Sequence, residues 1–255
     1  MLNSKTEALG IIFPNSYDAM VPDLVSERLM ASIPFASRYR MCDFILSSMV
    51  HSGIDNISII VRKNYHSLLD HLGAGREWDL VRKNGGLNIV PPFAQKQVKV
   101  FEGRIEALES LRGYLLKQPQ KYVIMTDANI AINFDFNELL DAHIKSGADV
   151  TMMYRKQEIP KAFIRQSRDR MDLYYALGSK IYINPTEEGE MNFSMNIYVV
   201  EREFLIRMID DAYVHGHTYF VRDLLDKQID RLDIRGFCYD GYVVNIHDTQ
   251  SYFEE

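Results

Sequence analysis

The chain has 255 residues, 47% apolar and 25% charged, which fits one large α/β domain or two small ones, and a single domain over 1–255 is the expectation. A net charge of −6 argues against a general nucleic-acid binder, while leaving room for a local basic pocket. MLNSKTEALG lacks an apolar leader and no later stretch approaches about 18 uncharged apolar residues, so secretion and membrane spanning are not expected and a cytoplasmic protein is.

Ala8–Phe13 reads as the first buried strand. Tyr39–Met49 carries its apolar residues around a polar face and reads as a helix, with Gly53 placed to stop it. Strands follow at Ile57–Val61, Tyr122–Met125 and Val150–Tyr154, separated by helices at Ile105–Leu116 and Asn137–Ile144. Gln157–Asp172 is polar and basic and reads as a mobile loop. Helices at Phe204–Tyr213 and Phe220–Ile229 precede strands at Arg235–Tyr239 and Gly241–Ile246, then a helical turn or two over Thr249–Glu255. Strand, helix, strand at this cadence predicts an α/β fold with a mostly parallel sheet flanked by helices. Ligands in such sheets sit beyond the carboxyl ends of the strands. Cys42 and Cys238 lie far apart without metal-ligand spacing, and read as reduced packing residues.

Several blocks carry a specific resemblance. Ser37–Ser48 (SRYRMCDFILSS) with Ser52–Ile54 is similar to the K-Y-R-I-I-D-F-x-L-S-N…S-G-I signature of the ADP-glucose pyrophosphorylase (glucose-1-phosphate adenylyltransferase) family. Gly73–Gly86, Asn88–Phe93, Phe193–Val199 and Asp240–Thr249 resemble its W-D-L…N-G-G, L-P-P, A-S-M-G-I-Y-V and E-G-Y-W-R-D-V-G-T segments, in the family's order. The resemblance implies a Rossmann-like, GT-A-like sugar-nucleotidyltransferase domain. It also implies the family reaction, in which glucose 1-phosphate and ATP give ADP-glucose and pyrophosphate with Mg²⁺. That chemistry asks for phosphates held in line, neutralised charge and excluded water.

The functional motifs depart where the scaffold motifs do not. The family's glycine-rich phosphate turn corresponds here to Gly10–Met20, which has no glycine after Phe13 and gains Pro14, a residue without an amide donor. Pro14-Asn15-Ser16 therefore reads as a plain turn. The family's K-R-A-K-P-A becomes Glu27–Ser32: Met30 replaces a lysine, and Arg28 remains as a weak phosphate-binding candidate or a surface residue. The two metal-holding aspartates register on Asn129 and Asn245, where an amide keeps the shape and loses the charge. Asp127, two positions before Asn129 and expected on the same strand face, is the candidate substitute carboxylate. The sugar-phosphate motif F-V-E-K-P registers on Ile181–Pro185, with Asn184 at the lysine. The adenine segment is echoed only in part, around Gln95, and Arg104 stands where a small residue is expected, either intruding on the nucleotide pocket or facing solvent from a helix. Asn196 completes the weak candidates for nucleotide or sugar-phosphate binding.

Loss of the glycine loop, lysines, metal aspartates and E-K-P together resembles the D-type, regulatory subunit that some Gram-positive bacteria pair with a catalytic subunit. The expectation is thus a regulatory and assembly subunit with no catalytic residues and no cofactor of its own, Mg²⁺ belonging to the catalytic relatives. Its partner would be a catalytic subunit in a hetero-oligomer, with no nucleic acid or membrane involved. The alternative is an active adenylyltransferase with a rebuilt site using Asp127 and Arg28. A third reading, a free-standing sensor of a phosphorylated effector, rests only on the charges of Arg38, Arg40, Lys63 and His66. The family's hexapeptide-repeat β-helix does not occur in these residues, so the sequence reads either as cut after this domain or as a naturally shortened form, the abrupt tail after Asp248 favouring the cut.

Overall fold

The computed structural model describes residues 7–92, 103–158, 173–177, 180–183, 190–246 and 248–254. It is an α/β structure whose mostly parallel sheet is flanked by helices, as expected. The chain divides into two compact units. One takes in Met1–Phe101, Met125–Asn137 and Tyr242–Glu255; the other Glu102–Ile124 and Glu138–Gly241.

In the first unit β1 (Ala8–Phe13) is buried along its whole length, and the run ALGIIF with apolar residues on both faces is what a doubly covered parallel strand requires. It pairs in parallel with β4 (Asn56–Ile60), which pairs in parallel with β5 (Gly86–Val90). The connection from β1 to β4 carries a two-residue hairpin, β2 (Pro34–Phe35) with β3 (Tyr39–Arg40), and then helix α1 (Met41–His51). The helix starts two residues later than its apolar pattern suggests because Tyr39 and Arg40 are used for that hairpin. Its start is fixed by one half of a capping box: the Arg40 amide donates to the Asp43 carboxylate over 2.9 Å. Gly10 admits the helix. A Cβ there would lie 2.7 Å from the Met49 sulfur, so the small residue allows α1 to approach the strand. Helix α2 (His66–Leu72) follows β4, and β6 (Tyr122–Asp127) leads to β7 (Ile130–Ile132). β7 pairs antiparallel with β13 (Val243–Asn245).

In the second unit β8 (Val150–Glu158) pairs in parallel with β12 (Ile234–Cys238) and antiparallel with β11 (Glu190–Glu201). β9 (Leu173–Leu177) and β10 (Lys180–Ile183) form a hairpin beside β12. Helices α3 (Arg104–Leu115), α4 (Phe136–Ser146) and Arg202–Val214 match the predicted segments within two residues at each shared end. The expected helix at Phe220–Ile229 is a π-helical stretch over Phe220–Asp226, and Asp223 ties its beginning by accepting from the Thr218 and Tyr219 amides. Strand β8 runs through Glu158, so the segment read as a loop from Gln157 begins as sheet; its remainder, 159–172, lies outside the described residues. No described helix is long and apolar enough to cross a membrane.

Candidate functional site

The first unit holds the carboxyl ends of β1, β4 and β6 and, with them, most of the positions singled out in the sequence. After Phe13 the chain turns through Pro14 and Asn15 into a single helical turn at Asp18–Met20. Asn15 is buried and fully engaged. Its amide nitrogen donates to Asp18 Oδ2 at 2.6 Å and to the Lys63 carbonyl at 3.4 Å, while its Oδ1 accepts the Arg62 amide at 3.1 Å. Asp18 Oδ1 accepts the Met30 amide at 2.8 Å, and the Pro14 carbonyl accepts the Ala31 amide. Burial pushes the Asp18 carboxyl up from its ordinary value, against the lowering effect of the Asn15 and Met30 hydrogen bonds and the charges of Arg62 and Lys63. The donors in this loop thus face a carboxylate of the chain itself. An incoming phosphate would meet a like charge there.

The two positions singled out in the Glu27–Ser32 stretch, Met30 and Arg28, separate. Met30 is 1% exposed and packs with Tyr17, Val21, Val25, Ile33 and Met41 in an apolar cluster, so it is a core residue. Arg28 is half-exposed. Among the described residues no side-chain bond to its guanidinium is present.

Asn129 and Asn245, the positions registered on the metal aspartates, come together. β7 and β13 place Asn245 opposite Ile130, and the ladder continues from the Ile246 amide to the Asn129 carbonyl at 2.9 Å. The Asn129 amide nitrogen then donates to Asn245 Oδ1 at 2.8 Å and to the Ile246 carbonyl at 3.1 Å. An amide can do this because it carries both donors and an acceptor; a carboxylate in the same place faces two acceptors. The pair offers neutral oxygens only, and does not fit the carboxylate donor set of a Mg²⁺ site.

Asp127 ends β6, 1% exposed, and accepts the Ser16 hydroxyl at 2.5 Å. It does not share a strand face with Asn129, because β6 stops at Asp127 and the chain bends before β7. The alternation argument fails there. Sequence reasoning also passed over Asp18 and Arg62. Their signal was the spacing of Asn15 and Asp18, three apart across a proline turn, which suits a side-chain bridge.

In the second unit Asn196 sits in a bulge of β11, where the register against β8 shifts between Ser194 and Ile197. Its φ of 52° is left-handed, a conformation glycine adopts freely and asparagine tolerates. Tyr198 donates its hydroxyl to Asn196 Oδ1 at 2.8 Å, and the Asn196 amide donates to Ser194 Oγ. Arg104, half-buried, lies over the Tyr198 ring, 5.6 Å from its centre, so it is not simply solvent-facing. Asn184 and Gln95 lie outside the described residues.

Of the charges behind the sensor reading, Arg40 is committed: one guanidinium nitrogen donates to the Ser32 and Ser67 carbonyls and the Ser67 hydroxyl. Arg38 stacks over Tyr39.

Residues 23–165 match the model of the nucleotidyl transferase family. The chain is 36% identical over 166 residues to the "Glycogen biosynthesis protein GlgD" of Geobacillus stearothermophilus, covering 65% of this chain and 48% of that protein. It is 34% identical over 189 residues to the protein of the same name from Bacillus subtilis, covering 74% and 55%. Against the glucose-1-phosphate adenylyltransferase of Geobacillus stearothermophilus identity is 26% over 258 residues, covering 98% and 65%. The chain therefore spans about half the length of the two GlgD proteins. With the family model covering more than half of its residues, this chain belongs to the nucleotidyl transferase family.

Proposed function

We propose that the chain is a regulatory and assembly subunit of a glucose-1-phosphate adenylyltransferase in glycogen biosynthesis, without nucleotidyl-transfer activity of its own. The observation that carries this reading is the amide pair Asn129–Asn245, bonded to each other at the positions the family fills with aspartate. Phosphoryl and nucleotidyl transfer need the negative charge of the phosphates neutralised, and a neutral pair recruits a divalent cation weakly. The internal carboxylate of Asp18 beside the β1 turn acts in the same direction. Similarity to two GlgD proteins supports the assignment to glycogen biosynthesis. The partner is a catalytic subunit, met in the cytoplasm in a mixed oligomer.

The test is twofold. Purified chain with ATP, glucose 1-phosphate and Mg²⁺ forms no ADP-glucose; turnover in the ordinary enzymatic range of roughly 1 to 1000 per second overturns the reading. Co-expression with the organism's catalytic subunit gives co-purification and altered activity.

A second reading, an active adenylyltransferase with a rebuilt site, is favoured by one observation: Asp127 keeps a buried carboxylate at the end of β6. Calorimetric titration with ATP separates the two, since this reading requires heat of binding that depends on Mg²⁺.

A further inference from the structure

Helix α1 opens with Met41-Cys42-Asp43, and α2 places His71 against that opening. His71 Nε2 lies 2.6 Å from Asp43 Oδ1, and Cys42 Sγ lies 3.4 Å from the same oxygen. All three donor atoms fall within 4.8 Å of one another, the one group of this kind among the described residues. None belongs to the site described above.

The geometry points to a zinc-type metal site at Cys42, Asp43 and His71, taking a borderline-soft divalent cation with water as its fourth ligand. Thiolate, imidazole and carboxylate are the donors such ions take, and in a tetrahedral shell of ordinary bond lengths neighbouring donors stand roughly 3.5 Å apart. The Sγ to Oδ1 separation already matches. The Nε2 to Oδ1 separation needs to open by less than about 1 Å when the ion replaces their shared proton. Outer contacts hold the ligands in place. The other Asp43 oxygen accepts the Arg40 amide, and Trp78 meets the His71 ring edge-on at 6.1 Å while donating to Ser47 Oγ. The His71 side chain is 22% exposed and Asp43 10%, so the ion enters from the side of His71 while Cys42 closes the floor.

Burial pushes the Cys42 thiol well above its ordinary value, with the Asp43 carboxylate adding to the shift, so the metal-free protein holds a protonated thiol. Binding replaces the thiol proton with the cation and releases it to solvent. The bound ion would tie α1 to α2 across the first unit.

The experiment titrates the metal-free full chain with Zn²⁺ and, as a spectroscopic stand-in, Co²⁺. One equivalent binds, with a thiolate-to-cobalt charge-transfer band and a tetrahedral ligand-field spectrum. His71→Ala weakens binding by roughly a hundredfold or more, beyond the ten- to hundredfold typical of losing an outer-shell partner. Cys42→Ser abolishes the charge-transfer band, whereas Cys238→Ser and His66→Ala leave stoichiometry and spectrum unchanged. Because Cys42→Ser alters a buried position, circular dichroism checks its fold, and the partly exposed His71 supplies the second variant. Absence of stoichiometric binding to the parent chain, a cobalt spectrum without the thiolate band, or binding indifferent to His71→Ala overturns the proposal and leaves Asp43–His71 as a hydrogen-bonded pair at the start of α1.

Discussion

The Asn129 side-chain amide donates at once to Asn245 Oδ1 and to the Ile246 carbonyl, which fixes the orientation of the Asn129 amide and makes the pair asymmetric. Asn129→Asp replaces a donor facing two acceptors by a third acceptor, and should cost roughly 2–4 kcal/mol, as buried mismatched polar groups do. Asn245→Asp keeps an acceptor toward Asn129 and should cost clearly less. Denaturant unfolding of the two single variants measures the difference; equal losses would contradict the assigned geometry.

The double variant Asn129→Asp with Asn245→Asp places two carboxylates side by side. Its stability should be low in chelator and rise with added Mg²⁺, while the parent shows no such response. Thermal unfolding with and without Mg²⁺ gives the answer, read as a shift in Tm that depends on cation concentration.

Asp18 joins the β1 turn to the backbone at Met30 and to Asn15. Asp18→Ala strands the Met30 amide and leaves Asn15 Nδ2 only its long bond to the Lys63 carbonyl, so a loss of about 2–3 kcal/mol is expected despite removal of a buried charge. Urea denaturation checks the magnitude. A stabilised variant would show that the buried charge outweighs both hydrogen bonds.

His143 is buried, shares a hydrogen bond with Thr151 Oγ1 and meets Tyr122 edge-on. Burial lowers its pKa from 6.5 to about 4. The folded chain therefore binds fewer protons at this residue than the unfolded chain between those values, and stability falls as pH drops from about 6.5 through about 4. The loss is on the order of 2–3 kcal/mol. His143→Gln should flatten that part of the stability profile, measured as ΔG against pH beside the parent.

At Asn196 two effects separate. Asn196→Ala loses the Tyr198 hydrogen bond and forces alanine into a left-handed backbone, about 2 kcal/mol together. Asn196→Gly loses only the bond and should cost about half as much. The ranking, more than either value, tests whether the bulge is held by backbone geometry or by the side chain.

The fold was largely legible because its buried strands are short, continuous apolar runs. Ala8–Phe13 needs no partner to be recognised, and Tyr122 marks the start of β6 as surely. Where a segment's state depends on what it touches, the pattern misled. Tyr39 and Arg40 continue the apolar rhythm of α1 yet pair with Phe35 and Pro34. The spacing of Phe220–Ile229 is helical, but the donors of its first turn are set by Asp223 and the coil is wider than an α-helix. At the candidate site, Asn129 and Asn245 were visible one at a time. Their bond joins residues 116 apart in sequence, and no local rule contains it.

By itself the sequence determined the α/β class, the positions of the buried strands and the chemical types that fill the family's functional positions, because these follow from side-chain polarity repeated at short range. Only the tertiary structure decided that Met30 is core, that Asp18 takes up the donors of the β1 turn, that two asparagines satisfy each other, and that Cys42, Asp43 and His71 converge. Those outcomes depend on which distant groups share a few ångströms after burial, and hydrogen-bond and charge energies are set at that distance.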